Sequence, residues 1–449
     1  MLISTFAQNF VRMERKKFYI ETYGCQMNFS DSEIVASVLK DNDFTIETDY
    51  KNADIILLNT CSIRDNAEQK VHHRLKHLNA LKKKKKHIIV GLLGCMAERL
   101  KEELFADGTV DLIAGPDAYR NLPQLIGSIK PGQKAFNILL SAEETYADIN
   151  PVRYDSNGVS AFISIMRGCQ NFCSYCVVPF TRGKERSRDP ETIVAEAAKL
   201  FDEGFREITL LGQNVNSYLF DGVNFPQLMA LVAGVNPLLR IRFATSHPKD
   251  ISDQLIQVIA SHPNICKYIH LPIQSGSNRV LKLMNRKYTR EYYLERIDTI
   301  YNIIPDCGIS TDIIAGFCGE TEDDHRDTLS AMQQSGYCYA FMFKYSERTG
   351  TLAAEKYDDD VPDEIKTRRL NEIIEMQHNL SFESNKKDLG KEFEVLIEGT
   401  SKRSKKQLFG RTSQNKVVVF NDIEHKQGEY VMVKITDCTS ATLKGEVLL

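Results

Sequence analysis

Three cysteines within eight residues are the part of this chain best suited to chemistry. Cys169, Cys173 and Cys176 have the spacing C-x3-C-x2-C. Thiolates this close can hold three irons of a cubane iron–sulfur cluster and leave the fourth iron open. An open iron can bind a substrate as well as transfer electrons. The spacing therefore predicts a cluster that takes part in a reaction.

Two other interpretations of these cysteines stay open at this point. A zinc site needs four ligands and usually takes them in pairs, but no Cys or His follows in the next twelve residues. Buried cysteines in an apolar core are the second alternative, since free Cys is among the most buried residue types.

A second set of cysteines is spread over the first part of the chain. The segments 17–22, 54–59, 87–93 and 110–113 are predicted to be strands, with helices at 31–40, 67–81 and near 97–104. Short apolar runs that alternate with helical patterns indicate a parallel sheet with crossover helices. Cys25, Cys61 and Cys95 each follow one of the first three strands. Because parallel strands end at one edge of their sheet, we expect these thiols to converge there.

This convergence predicts a second three-thiolate site. Three small core residues are the alternative, and a zinc site would need a fourth ligand that the sequence does not offer. Three ligands would again leave one iron, or a bridging sulfide, available for chemistry.

Composition limits the class of protein. The chain has 449 residues, too many for one ordinary domain, and is 42% hydrophobic and 26% charged, as in soluble globular proteins. The first residues lack a signal-peptide pattern, and no apolar run is long enough to cross a membrane, so we expect a cytoplasmic protein without membrane contact. Eleven cysteines in such a chain indicate metal ligands or reactive thiols instead of disulfides. The net charge of −3 restricts any RNA contact to local basic patches.

A second β-α series follows an acidic linker near residues 141–160. Its predicted strands are 161–166, 207–211, 240–244, 268–271, 308–313 and 340–345. Six such units predict a partial parallel (β/α)6 barrel, in which loops at the strand carboxyl ends build the site. The cysteine loop follows the first of these strands. A helix is predicted from Pro362 to about Lys387, because proline fits a first helical turn.

The last part of the chain has a different pattern. Short strands are predicted at 393–397, 408–412, 416–420, 430–435 and 443–447. Five short strands without helices predict a small antiparallel β-barrel, a shape that often binds oligonucleotides. The fold class is therefore α/β, with a parallel-sheet Rossmann-like first domain, a central partial barrel and a small C-terminal barrel.

Seven sequence runs resemble the bacterial tRNA methylthiotransferases of the radical S-adenosylmethionine (SAM) superfamily. They are YGCQMN (23–28), NTCSIR (59–64), GCMAER (94–99), MRGCQNFCSYCVVP (166–179), LGQN (211–214), TSHP (245–248) and HLPIQSGS (270–277). The resemblance covers residues 17–449. It implies a methylthiotransferase N-terminal domain at 16–132, a radical SAM core at 155–387 and a TRAM RNA-binding domain at 390–449. The run at 24–28 is most similar to the subgroup that acts on N6-isopentenyladenosine.

This resemblance implies an activity and its cofactors. A 4Fe-4S cluster on Cys169, Cys173 and Cys176 would bind SAM at its open iron. A second 4Fe-4S cluster on Cys25, Cys61 and Cys95 would supply sulfur. In the family one SAM methylates a cluster sulfur, and a radical from a second SAM removes hydrogen from C2 of the adenine at tRNA position 37, next to the anticodon. The methylthio group ends on that carbon.

The family also suggests which residues contact SAM. They are Tyr175, Gly212, Gln213, Gln274, Ser275 and Gly316. Each is equally suited to a loop cap or a turn. One departure from the family is Cys318, which stands where a proline is usual and leaves the rigidity of its loop in doubt.

A basic segment predicts an RNA surface in the C-terminal barrel. Residues 401–416 contain no acid, and the candidates are Lys402, Arg403, Lys405, Lys406, Phe409, Arg411 and Lys416. Basic groups beside an aromatic suit a phosphate groove with a stacked base, although a solvated hairpin would have the same composition.

The expected partners are a tRNA anticodon stem-loop and an electron donor such as flavodoxin or ferredoxin, and we expect a monomer. Two other targets for the same chemistry remain open, namely threonylcarbamoyladenosine in tRNA and an aspartate of a ribosomal protein. A non-catalytic RNA-binding iron–sulfur protein is the alternative from another class.

Overall fold

The structure is a computed structural model that describes residues 15–61, 65–99, 108–130, 133–154, 157–402, 404, 406–422 and 424–448. The chain forms two compact units, one up to Leu139 and one from Leu140 onward.

The first unit is built on a six-stranded, entirely parallel sheet. Its strands are β1 (Lys17–Tyr23), β2 (Thr45–Ile46), β3 (Ile55–Thr60), β4 (Ile89–Gly94), β5 (Leu112–Ala114) and β6 (Ala135–Asn137). The spatial order is β2-β1-β3-β4-β5-β6. The predicted parallel sheet is confirmed, but β2 and β6 were not predicted because strands of two or three residues carry little periodic signal.

Helices cover this sheet and bury its central strands. They are α1 (Gln26–Asp41), α2 (Asp65–Lys84), α3 (Cys95–Arg99) and α4 (Leu122–Ser128), with 3-10 turns at Tyr50–Asn52 and Tyr119–Asn121. Every residue of β3 and β4 is buried, as expected for parallel strands with both faces covered. Helix α1 begins at Gln26, several residues before its predicted start, so Cys25 occupies the N-cap position.

The second unit contains the predicted partial barrel. Its strands are β7 (Ser160–Ser164), β8 (Met166–Arg167), β9 (Arg186–Ser187), β10 (Glu207–Leu211), β11 (Leu219–Phe220), β12 (Val223–Asn224), β13 (Arg240–Phe243), β14 (Tyr268–His270), β15 (Gly308–Ala315) and β16 (Tyr339–Lys344). The six strands predicted from the sequence form two parallel sheets, β13-β10-β7 and β14-β15-β16. A parallel bridge joins Ile241 of β13 to Ile265, just before β14. The short pairs β8–β9 and β11–β12 are antiparallel additions.

Helices pack on the outside of these strands. They are α5 (Val178–Arg182), α6 (Pro190–Asp202), α7 (Phe225–Ala233), α8 (Asp253–Ser261), α9 (Asn278–Leu283), α10 (Arg290–Ile303), α11 (Glu322–Ser335), α12 (Leu352–Lys356) and α13 (Asp363–Lys386), with 3-10 turns at Val215–Ser217 and Pro248–Asp250. One large apolar core fills the space between strands and helices. The loops at the strand carboxyl ends are left to build a site.

The C-terminal segment closes into a five-stranded barrel. Its strands are β17 (Glu392–Thr400), β18 (Gln407–Arg411), β19 (Val417–Asn421), β20 (Tyr430–Cys438) and β21 (Leu443–Val447). The order is β17-β18-β19-β21-β20, so the predicted small barrel is confirmed, but its β19–β21 pair is parallel and only the other four pairs are antiparallel. Alternate residues of β20, Val431, Val433 and Ile435, face its core.

Buried arginines fasten this barrel to the strands of the larger one. Arg240 donates to the Arg411 carbonyl over 2.7 Å, and Arg242 donates to the Thr412 carbonyl over 2.8 Å. Arg242 also pairs with Glu207 over 2.8 Å. The contacts lie at the amino ends of β10 and β13, so the carboxyl ends of these strands remain open for a site.

Candidate metal centres and the surfaces around them

Strand register brings the first three cysteines to one edge of the sheet. Tyr23 pairs with Thr60, and Thr60 pairs with Gly94, in adjacent parallel ladders. Cys61 and Cys95 each follow a paired residue directly, and Cys25 lies two residues beyond Tyr23. The Cys61 amide donates to the Tyr23 carbonyl over 2.9 Å, which fixes the exit of β3 beside that of β1. Cys61 and Cys95 are buried, and Cys25 is partly exposed.

Two buried asparagines connect these strand ends. The Asn28 side chain accepts from the Cys25 amide over 3.3 Å and donates to the Thr60 carbonyl over 3.2 Å. Asn59 donates to the Asn28 carbonyl over 2.9 Å. A Cβ on Gly24 would lie 2.4 Å from the Cys61 Cβ at a φ of +146°, so only glycine allows this approach. Asn28 and Asn59 belong to the family motifs, but nothing in the sequence predicted this network.

The other three cysteines lie on one loop between β8 and α5. The Cys169 amide donates to the Gly183 carbonyl over 3.1 Å, and the Cys176 amide donates to the Cys173 carbonyl over 3.0 Å. Ser174 ties the loop to the end of α9 through a 2.8 Å bond from its hydroxyl to the Leu283 carbonyl. Gly168 has a φ of +82°, and a Cβ there would meet the Lys184 carbonyl oxygen at 2.0 Å. The loop is thus held at both ends.

Burial disfavours the charged form of these thiols. Burial raises the pKa of Cys169 to about 11, although the Asn171 amide opposes the shift, and a thiolate at Cys173 raises that pKa further. Burial and neighbouring Cys173 likewise raise the pKa of Cys176. Thiolates in this loop repel each other, so a metal centre must compensate their charge if they are to act as ligands.

A single metal ion and a cubane cluster require different spacings of their ligands. Within the described ranges, no three His, Cys, Asp or Glu side chains come close enough together to hold one metal ion. A cubane takes each thiolate on a different iron, so its ligands lie further apart than those of zinc. All eleven cysteines are described, and none forms a disulfide.

Polar atoms without partners collect at the carboxyl ends of β7, β10 and β13. Both polar side-chain atoms of Gln213 and both of Asn216 are buried without a hydrogen-bond partner among the described residues, as are the hydroxyls of Ser164 and Ser246. Buried polar groups are normally satisfied, so this cluster indicates space for a polar ligand. Gly212 packs closely against Met166, where a Cβ would lie 2.5 Å from Cγ. Ser164, Asn216 and Ser246 were not among the predicted residues.

The remaining SAM candidates have mixed environments. Tyr175 packs edge-on against Phe317, with ring centroids 6.5 Å apart. Gln274 is joined to β15 through its backbone, and its amide donates to the Asp312 carbonyl over 2.9 Å. Ser275 is fully buried, and its hydroxyl is engaged with Thr328 over 3.3 Å, which gives it a structural role.

The loop after β15 keeps its shape without the usual proline. The Gly316 amide donates to Glu320 over 2.9 Å, and Glu320 pairs with buried Arg369 over 3.0 Å. Cys318 is buried and packs in an apolar cluster with Phe317. Hydrogen bonds therefore take over the restraint that a proline would give.

Four arginines near the cysteine loop are buried instead of forming a solvated face. Arg188 pairs with Glu196 over 2.5 Å, and Arg186 donates to the Ser141 carbonyl over 2.6 Å. Arg167 lies over the Tyr146 ring, 4.9 Å from its centroid, and Arg182 is buried as well. These contacts with the chain itself give at least Arg186 and Arg188 a structural role.

The residues predicted to contact RNA lie in different environments. Lys402 and Lys406 are exposed, Phe409 is half-buried on β18, and Arg403 and Lys405 lie outside the described residues. Arg411 pairs with Glu398 over 2.9 Å. The Lys416 ammonium lies 2.5 Å from Asp388 and donates to the Ser384 carbonyl over 2.9 Å. Lys416 thus holds the barrel against α13.

Three family models match the chain. The uncharacterized protein family UPF0004 matches residues 17–115, the radical SAM superfamily matches 163–332, and the TRAM domain matches 386–448. Each match lies within one of the predicted domains or within a few residues of it. The exact domain boundaries at 132, 155, 387 and 390 stay predictions.

Curated relatives align over nearly the whole chain. The tRNA-2-methylthio-N(6)-dimethylallyladenosine synthase of Bacteroides fragilis is 59% identical over 438 residues, which cover 96% of each chain. The Bacteroides thetaiotaomicron protein of the same name is 58% identical, again over 96% of each chain. That of Amoebophilus asiaticus is 58% identical over 96% of this chain and 92% of its own.

Solved structures share the fold at low sequence identity. The radical SAM methyltransferase TsrM from Kitasatospora setae, with cobalamin and a 4Fe-4S cluster bound, has a TM-score of 0.55 at 13% identity over 76% of this chain and 74% of its own. The cobalamin-dependent radical SAM enzyme OxsB has a TM-score of 0.53 at 13% identity, over 81% of this chain and 56% of its own.

A partial barrel with a C-x3-C-x2-C loop after its first strand defines a radical SAM enzyme, and this class uses a 4Fe-4S cluster and SAM. Those cofactors are therefore confirmed. The identity over nearly full length takes the assignment one step further. The chain belongs to the family of tRNA-2-methylthio-N(6)-dimethylallyladenosine synthases. In the described part of the chain, no helix has the length and apolar character needed to span a bilayer.

Proposed function

We propose that this enzyme converts N6-isopentenyladenosine at tRNA position 37 to its 2-methylthio derivative. One observation carries the proposal: a chain 59% identical to a synthase of that name has two cysteine triads, one at the carboxyl ends of three parallel strands and one on the loop after the first barrel strand. The reaction replaces the C2 hydrogen of the adenine by a methylthio group. Acid–base chemistry gives little access to that C–H bond, which is why the family uses a radical route.

The two triads have separate roles in this proposal. Cys169, Cys173 and Cys176 hold the cluster whose open iron binds SAM, and Cys25, Cys61 and Cys95 hold the second cluster. When bound, these cofactors supply an adenosyl radical that takes the C2 hydrogen and a methylated sulfur for the carbon. The chain itself holds Cys25, Cys61 and Cys95 at neighbouring strand ends and the other three thiols on a loop that is fixed at both ends.

Polar groups at the barrel rim orient SAM. Gln213, Asn216, Ser164 and Ser246 present buried polar atoms that have no partner in the described part of the chain. These polar atoms suit hydrogen bonds with the amino and carboxylate groups of a bound amino acid. Each such bond would satisfy a polar atom whose burial without a partner costs free energy. The Tyr175 ring and the backbone at Gly316 approach the nucleoside. Gln274 contributes to the SAM site through its rigid backbone, and Ser275 supports that backbone.

The RNA contact uses the exposed part of the C-terminal barrel. Lys402, Lys406 and Phe409 provide two cations and an aromatic edge for an anticodon loop. A base in a loop can be splayed into the site at lower cost than a base in a duplex. The enzyme acts in the cytoplasm, where its tRNA is, takes electrons from a flavodoxin or ferredoxin, and works as a monomer.

Mass analysis of tRNA nucleosides tests the proposal. Cells that lack the gene should contain N6-isopentenyladenosine without the methylthio group, and the wild-type gene should restore it. A Cys173→Ala gene is the matched control and should not restore it. If the methylthio group persists without the gene, the proposal is wrong. A change confined to threonylcarbamoyladenosine or to a ribosomal-protein aspartate would reassign the substrate.

A further inference from the structure

One buried cation lies beside the cysteine loop without an anionic partner. The Arg286 side chain is 8% exposed, and its Nη1 donates to the Cys173 Sγ over 3.4 Å. Its Nη2 donates to the Pro272 carbonyl over 2.9 Å, and its Nε donates to the Tyr288 hydroxyl over 3.0 Å. The guanidinium is therefore fixed in place by three elements of the barrel and aimed at one thiol.

Three other buried arginines of this unit have carboxylate partners. Arg188 pairs with Glu196 over 2.5 Å, Arg242 with Glu207 over 2.8 Å and Arg369 with Glu320 over 3.0 Å. No described Asp or Glu lies within ion-pair distance of Arg286. An unpaired charge in an apolar interior is strongly unfavourable, so an anion is expected at its free face.

The neighbours of Arg286 cannot provide that anion. Burial, partly opposed by Arg286, raises the pKa of Tyr288 to about 12, so its hydroxyl is neutral. Burial, with the charges of Arg286 and Lys249, lowers the pKa of His247 to about 2, so this ring is neutral. Among the described residues, the remaining hydrogen-bond partner of Arg286 that can carry negative charge is the Cys173 sulfur.

We propose that Arg286 is the counter-cation of the central iron–sulfur cluster and raises its reduction potential through the Cys173 thiolate. Reduction adds negative charge, and a fixed cation with a hydrogen bond to a ligand sulfur stabilises the reduced form. An electron is thereby loaded more easily before SAM is cleaved. The inference rests on the cluster site of the proposed function. No spacing in the sequence pointed to this residue.

A redox titration tests this role without using activity. The full-length chain with Cys25→Ala, Cys61→Ala and Cys95→Ala serves as background, so that only the central site can bind a cluster. In Arg286→Gln, the ratio of reduced to oxidised cluster at a given potential should be about tenfold lower. For a one-electron couple, this change corresponds to a midpoint potential about 59 mV lower. Arg286→Lys keeps the charge and should recover most of the shift.

Controls separate the outcomes. Arg242→Gln removes a buried guanidinium at the opposite end of the strands. It should leave the ratio of reduced to oxidised cluster within about twofold of that of the parent. An iron-loaded Gln variant with an unchanged midpoint overturns the inference but leaves the proposed function intact. A background protein that binds no iron contradicts the cluster site itself. If the Arg286→Gln variant loses its iron, the Arg286→Lys variant decides the outcome. A midpoint potential of the Lys variant near that of the parent supports the charge role. Loss of iron from the Lys variant, or a midpoint far from that of the parent, overturns the inference.

Discussion

At the scale of single residues, burial determines what the cysteines can do. Cys173 is buried beside a guanidinium, whereas Cys169 and Cys176 are held by backbone contacts of the same loop. Cys61 is buried at a strand end of the other unit. Since the two triads lie on separate sheets, the loss of one thiol should affect only its own cluster.

Single substitutions should therefore separate the two halves of the reaction. Cys173→Ala should reduce 5′-deoxyadenosine release to background, and Cys61→Ala should leave that release measurable but give no methylthiolated RNA. Each variant should bind about four irons per chain instead of about eight for two cubanes. Iron analysis after anaerobic reconstitution and chromatography of the nucleosides measure these quantities. Equal loss of SAM cleavage in both variants would argue against separate roles.

At the scale of elements, one carboxylate joins the starts of two helices near the predicted SAM site. Asp324 accepts from the Thr321 amide over 2.8 Å and from the Ser277 hydroxyl over 2.5 Å, and it pairs with Arg279. Thr321 caps α11 and Ser277 caps α9. Burial alone would raise the pKa of Asp324, but the hydrogen bonds from Arg279, Ser277 and Thr321 outweigh it and hold this pKa well below its usual range.

Asp324→Asn should loosen this junction. The folded state favours the ionised form of Asp324, so this carboxylate stabilises the fold fully above about pH 5. The contribution is lost as pH falls from the pKa of about 3.9 in the unfolded chain towards the lower pKa in the folded state. At neutral pH the variant should lose about 1–2 kcal/mol of local stability, seen as lower hydrogen-exchange protection of α11 amides. The difference should shrink in acid.

Asp323→Asn is the matched control for this prediction. Asp323 is exposed on the same helix turn and pairs only with a surface arginine, Arg326. Its loss should cost less than about 0.5 kcal/mol. Equal effects of the two variants, or a difference that grows at low pH, would contradict the role given to Asp324.

At the scale of the whole molecule, the C-terminal barrel divides its basic residues between two tasks. Lys402 and Lys406 face solvent, whereas Lys416 is only 13% exposed and pairs with Asp388. Sequence composition groups all of them in one basic segment. The structure assigns one of them to the contact between β-barrel and helix.

Salt dependence of RNA binding should show this division. The double variant Lys402→Ala, Lys406→Ala should bind an anticodon stem-loop with a smaller slope of log affinity against log salt concentration. The expected reduction is about 1.4, because each lost phosphate contact removes about 0.7. Lys416→Ala should keep the slope and lower the stability of the barrel by about 1–3 kcal/mol, because Asp388 loses its partner. Fluorescence anisotropy and urea unfolding measure the two effects. A slope that falls equally in both cases would place Lys416 on the RNA surface.

Patterns of local sequence were sufficient for the elements and for the cysteines. Short apolar runs predicted the six barrel strands and the five C-terminal strands close to where they lie in the structure. This was possible because the pattern of a strand is a local property of the sequence. The positions of Cys25, Cys61 and Cys95 after successive strands also follow from local order. Parallel topology then brings them to one edge without further information.

Contacts between distant segments were decided only by the tertiary structure. Arg286 meets Cys173, Lys416 meets Asp388 and Asn28 meets Asn59 across separations that no spacing rule describes. Whether a basic or polar side chain pairs internally or faces a ligand depends on burial, and burial arises from packing. The sequence by itself therefore determined which groups can do chemistry, and the tertiary structure decided which of them are already engaged within the chain.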